Sequence, residues 1–118
     1  MAIMPSSVNR YPKHLAVHAR KAAVIKALAH PARLAIAEAL AKRERCVCEL
    51  QEIVGSDMST VSKHLKLMKE AGVVADRKVG LWVHYRLRVP RVFRILDCAL
   101  NAIHPAVRGT PEAVRQLP

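Results

Sequence analysis

With 118 residues, 52% of them hydrophobic, and only four Gly, the chain has the size and composition of one ordered, helix-rich domain around a single modest core. Twenty Lys and Arg against nine Asp and Glu leave a formal net charge of +11, which favours DNA, RNA or an acidic membrane surface as partner over a merely solvated basic exterior. One Trp, one Phe and two Tyr supply little for stacking single strands or splayed RNA bases, so duplex DNA moves ahead.

The stretch Met1 to Ser7 has no basic segment followed by a long apolar run, and nowhere do about eighteen apolar residues run uninterrupted. Neither a signal peptide nor a membrane span is expected, and the protein is placed in the cytoplasm. Three cysteines cannot all pair within a monomer, and in a reducing compartment they read as free thiols, metal ligands or redox groups rather than staples.

In chain order, residues 1–13 are polar, carry Pro5 and Pro12, and read as a flexible basic arm. Leu15, Val24, Ile25 and Leu28, in an alanine-rich setting, predict a first helix to Leu28. Pro31 suits the first position of a second helix carrying Leu34, Ile36 and Leu40, and Lys42 to Arg45 reads as a charged, solvated connector. Val47, Leu50, Ile53 and Val54 repeat at helical spacing until Gly55 stops a short third helix. After the turn Gly55-Ser56-Asp57, Val61, Leu65 and Met68 line one side of a fourth helix ending near Gly72, and two helices joined by so short a turn make a helix-turn-helix.

Val73 to Arg77 and Leu81 to Leu87 are β-favouring runs around Val79-Gly80, a hairpin that forms a wing, with Trp82 expected to pack beneath it. Beyond Pro90, Val92, Phe93, Ile95, Leu96, Ala99, Leu100 and Ile103 make a helix apolar over more than half its girth, more than one small core can cover, so this face predicts dimerisation. The expected fold is mainly α with a small β-hairpin, a dimeric winged helix-turn-helix over residues 14–104, followed by an irregular tail over 105–118.

Opposite its apolar stripe, the fourth helix carries Ser59, Thr60, Ser62, Lys63, His64 and Lys66, hydroxyls and positive charge suited to a major groove. Ser62, Lys63 and His64 are placed for base edges, while Ser59 and Thr60 serve equally well as helix caps. Arg77 and Lys78 put charge beside the hairpin tip, within reach of phosphate or a minor groove, or simply of solvent.

Four segments resemble the ArsR/SmtB family of metalloregulatory repressors: Ala27-Leu28-Ala29-His30-Pro31-Ala32-Arg33-Leu34, Cys46-Val47-Cys48-Glu49-Leu50, Ser59-Thr60-Val61-Ser62-Lys63-His64-Leu65, and Asp76 through Leu87. The resemblance spans residues 22–103. It implies a homodimer whose first and last helices form the interface, here through Leu15, Val92, Leu96, Ala99, Leu100 and Ile103. It also implies binding to an inverted-repeat operator, needing no cofactor, and release when a metal or metalloid binds.

Cys46-Val47-Cys48-Glu49-Leu50 is similar to the arsenite- and antimonite-sensing branch, although Gln51 stands where many members carry a further cysteine. The resemblance makes Cys46 and Cys48 the ligands of As(III), methylarsenite or Sb(III), with Cys98 a possible third thiolate across the dimer, or else a small helix residue without a role. Cadmium and lead sensors share the string but add N-terminal cysteines, and residues 1–45 contain none. A zinc site on the last helix is poorly supplied, since Asp97 and His104 have no second His beyond them; His14 and His18 read as surface residues.

Positions i and i+2 of a regular helix differ by about 200°, so joint ligation by Cys46 and Cys48 is expected to require that the start of the third helix unwind. Arg43 and Arg45 are expected to favour their thiolates. Three alternatives stay open: a thiol-redox or persulfide switch on the same fold, a constitutive DNA-packing protein, and a thiol oxidoreductase. The last is disfavoured, because the chain has no Cys-x-x-Cys and no βαβ pattern, and no enzymatic activity is expected.

Overall fold

A computed structural model describes residues 11–104. A 3-10 turn at Lys13–Leu15 leads into α1 (Ala16–Leu28), followed by α2 (Pro31–Lys42), β1 (Arg45–Cys46), α3 (Val47–Val54), α4 (Met58–Glu70), β2 (Val74–Val79), β3 (Trp82–Leu87) and α5 (Val92–Ile103). The tail expected over 105–118 and most of the arm expected over 1–13 lie outside the described residues, and Lys13 already belongs to the turn.

The helix boundaries follow from local chemistry. His30 is extended (φ −159°, ψ 134°) and its Nδ1 accepts the Ala32 N–H at 3.0 Å, while Pro31, lacking an N–H, opens α2. Gly55 at φ 75° ends α3, its amide donating to the Gln51 carbonyl at 2.9 Å, in a conformation where a side chain would be strained. Asp57 caps α4 by accepting the Thr60 N–H at 2.7 Å. The cap is thus neither Ser59 nor Thr60.

Ile36 and Leu40 of α2, Leu50 of α3, and Val61, Leu65 and Met68 of α4 meet in the core. Val73 and Val74 seal it at the root of the wing, and Tyr85 and Leu87 pack against it. The hairpin is tighter than the sequence suggests: Val79 pairs with Trp82, leaving Gly80 (φ 62°) and Leu81 as a two-residue turn of the type II′ pattern.

Two expectations are corrected here. The charged connector ends in a strand, because Arg45 and Cys46 pair antiparallel with Tyr85 and His84 and make the sheet three-stranded in the order β1-β3-β2. Pairing of this outer edge satisfies backbone groups of β3 that a bare hairpin would leave to water. Trp82, expected beneath the wing, is instead 57% exposed beside Leu81 at 92%, since the turn carries both beyond the reach of the core.

None of the residues of α5 is buried, and Val92 and Phe93 are its contributions to the core. Val92, expected at a dimer interface, therefore packs inward, whereas Leu96, Ala99 and Ile103 are exposed and Leu100 is half-buried. Val17 and Ile25 leave a matching apolar face open on α1, near the exposed Leu15. No described helix is long and apolar enough to cross a membrane.

Candidate cysteine site and DNA-reading face

Cys46 does not sit inside a helix. It is the last residue of β1 and the N-cap of α3, with extended torsions (φ −77°, ψ 162°), and Cys48 lies in the first helical turn. The 200° separation expected of two helical positions therefore does not apply. The Cα atoms are 5.5 Å apart and the two sulfurs are joined as a disulfide, so the pair converges with α3 intact and no unwinding is required. A backbone that closes a disulfide also lets both sulfurs, once reduced, reach a single thiophilic atom.

Glu49 organises the surroundings of the pair. Its carboxylate accepts the Cys46 N–H at 3.4 Å and an Arg43 guanidinium N–H at 2.6 Å, and it lies 3.5 Å from Arg45. The hydrogen bond from Arg43, with that of the Cys46 amide, holds the Glu49 carboxyl below the usual carboxylate range. Arg43 and Arg45, expected to favour thiolates, are thus largely answered by Glu49, and Arg45 also donates Nε to the Ala39 carbonyl at 3.0 Å. Their missed partner had a sequence signal: a Glu three residues after the residue that caps a helix.

Cys98 is exposed on α5, not a small buried helix residue. Among the described residues no group of three or more His, Cys, Asp or Glu side chains is placed to hold a metal ion. One chain therefore offers a two-sulfur site, without Cys98, His14 or His18 gathered around it.

On α4, Ser59, Ser62, Lys63 and Lys66 are exposed on one surface, with Thr60 and His64 half-buried beside them. Lys63 and Lys66 form no ion pair among the described residues, so both charges are free for an anion. His64 stands apart: its ring lies 4.6 Å from that of His30, centroid to centroid. Partial burial, followed by repulsion from His30 and Arg33, lowers its pKa and favours the neutral ring, which can donate at one nitrogen and accept at the other.

On the wing, Lys78 is exposed and carries no ion pair among the described residues. Arg77 is engaged: its Nε donates to one Glu44 oxygen at 2.5 Å and its Nη2 to the other at 3.1 Å. That bond lowers the Glu44 pKa and raises that of Arg77. Lys69, paired with Asp76 at 2.9 Å, likewise ties α4 to the wing. Glu44 was not legible as a functional residue, because its partner lies 33 positions away.

The profile of the bacterial regulatory protein, arsR family, matches residues 30–76, from the residue before α2 into β2. The chain is 36% identical over 95 residues to the arsenic resistance transcriptional regulator of Pseudomonas putida, covering 78% of this chain and 73% of that protein. It is 37% identical over 100 residues to the cadmium resistance transcriptional regulatory protein CadC homolog of Staphylococcus aureus, covering 82% and 83%. Among solved structures, the homodimeric winged helix-turn-helix DNA-binding domain of a possible ArsR-family regulator from Mycobacterium bovis superposes with a TM-score of 0.73 at 28% identity, covering 85% of this chain and 95% of that one.

Proposed function

Because this chain belongs to the ArsR/SmtB family of transcriptional regulators, we propose that it is a cytoplasmic homodimeric repressor that leaves an inverted-repeat operator when Cys46 and Cys48 capture a trivalent arsenical or antimonial. The observation that carries this reading is the convergence of the two sulfurs at the junction of β1 and α3. Two thiolates suit As(III), methylarsenite or Sb(III), soft centres that bind sulfur strongly. The family consists of DNA-binding regulators, which sets aside a thiol oxidoreductase.

In this reading α4 enters the major groove with Ser62, Lys63 and His64 toward base edges, and Ser59, Thr60 and Lys66 toward phosphate. Arg77 and Lys78 follow the backbone from the wing. Leu96, Ala99, Leu100 and Ile103 of α5, with Leu15 before α1, join the two copies, as the homodimeric relative supports. Cys98 is a ligand only where a second copy brings it to the pair.

The test is fluorescence anisotropy of operator DNA under reducing conditions with As(III), methylarsenite, Sb(III), Cd(II) or Zn(II). Wild type is expected to release DNA with the arsenicals, and Cys46→Ser and Cys48→Ser to bind DNA but not release it. An undiminished arsenical response in Cys48→Ser removes the pair from the function, and no response to any ion or to peroxide leaves a constitutive DNA-packing protein.

A redox switch is the second reading, favoured by the joined sulfurs. Two thiols and one peroxide would give the disulfide and two waters, so a peroxide arm without reductant separates it. Cadmium sensing, suggested by the Staphylococcus aureus relative, and lead sensing with it are weakened by the lack of cysteine in residues 1–45.

A further inference from the structure

Cys46 is paired into the same sheet as the wing. In the ladder between β1 and β3 it stands opposite His84, and in the ladder between β3 and β2 His84 stands opposite Arg77. Cys46, His84 and Arg77 therefore form one continuous rung across the three strands, from the sulfur site to a basic residue of the wing. Residues directly opposite one another share a face of a sheet. Two residues before Cys46, Glu44 closes the rung at its far end, holding the Arg77 guanidinium by both carboxylate oxygens.

We propose that this rung couples the cysteine pair to DNA through the wing, with Glu44 as the positioning residue that sets the direction of Arg77. The inference rests on the sensor reading above and gives it a route. Since the sulfurs converge with α3 intact, their capture of one atom does not demand that this helix unwind. β1 is the alternative: a strand of two residues, Arg45 and Cys46, has few ladder bonds to lose.

In the structure the sulfurs are joined directly and the clasp is closed; an atom inserted between them parts the sulfurs and resets the torsions of Cys46, whose short pairing with His84 takes up the change. A shift there moves Glu44 away from Arg77. Two discrete arrangements then exist, clasp closed and clasp open, and a ligand that favours one of them changes DNA affinity through the wing. An exposed ion pair contributes little to fold stability, but a two-bond Arg–carboxylate fork fixes geometry, which is what a DNA-facing arginine needs. The signature of Glu44 is thus the ratio of DNA affinities without and with ligand, rather than stability.

The experiment uses the full chain, a fluorescent duplex selected by wild type from a random-sequence pool, and arsenite with a phosphine reductant. Arsenite uptake is read separately, as loss of titratable thiols, and folding by thermal melts. Glu44→Gln is expected to take up arsenite like wild type, yet to lose about tenfold or more of the affinity ratio that arsenite produces. The charge swap Glu44→Arg with Arg77→Glu, whatever its basal affinity, is expected to regain part of the ratio that Glu44→Arg alone loses.

A ratio in Glu44→Gln within about twofold of wild type overturns the rung while leaving the sensor intact. So does a charge swap that performs no better than Glu44→Arg. Failure of arsenite to release wild-type protein while Glu44→Gln melts normally overturns the sensor reading itself, and the rung with it.

Discussion

α3 and α5 carry similar apolar stripes and end in opposite situations. Leu50 of α3 is completely buried, whereas α5 buries nothing, with Ile95 and Ile103 exposed at 68% and 70%. The difference lies in what stands opposite. α2 and α4 close over α3 within the chain, while α5, after Val92 and Phe93, meets no further core of its own. An apolar stripe therefore reports that a face must be covered, and says nothing of whether the cover comes from the same chain.

The contrast breaks first at Leu50. Leu50→Ala is expected to cost about 2–5 kcal/mol, read by chemical denaturation, because α2 and α4 cannot collapse into the space. A loss below about 1 kcal/mol would place α3 among the half-covered elements instead. At α5 the same chemistry should act on assembly: Ile95→Glu with Ile103→Glu is expected to raise the dimer dissociation constant about a hundredfold by sedimentation, with the helix content of the monomer retained. Unaltered dimers would move the interface elsewhere.

The comparison sharpens on the proposed DNA-reading face of α4, whose exposed side chains are expected to meet DNA rather than a second copy of the chain. Lys66→Ala is expected to weaken DNA binding about tenfold and to reduce the slope of log affinity against log salt by about 0.9, one phosphate contact's worth. An unchanged slope would mean that Lys66 touches no phosphate.

The smallest effect concerns His64. Its pKa in the folded chain is lowered, so the unfolded chain takes up the proton first, and stability is complete above the ordinary value of 6.5 and declines as pH falls below it. In thermal melts across that range, His64→Gln should show a shallower decline than wild type. Identical slopes would remove the burial against His30 as the cause.

Much of the architecture was legible in the residues because it depends on local chemistry. Pro31 opens α2 and Gly55 takes a left-handed conformation that ends α3, each acting within a few positions of itself, whereas the cap of α4 fell to Asp57 and not to Ser59 or Thr60. Cys46 and Cys48 were visible as a pair, but their geometry was not, since assigning Cys46 to the helix moved it by one position. That single position is the difference between sulfurs pointing apart and sulfurs that meet.

The sequence by itself determined the order of helices, the wing and the basic face of α4, because helical and strand periods and capping residues are written over short spans. Only the tertiary structure decided that Arg45 and Cys46 join the sheet, that Glu44 holds Arg77 and that His64 packs on His30. Those contacts join residues far apart in the chain, and neither propensity nor periodicity carries information about which distant segments the shared core brings side by side.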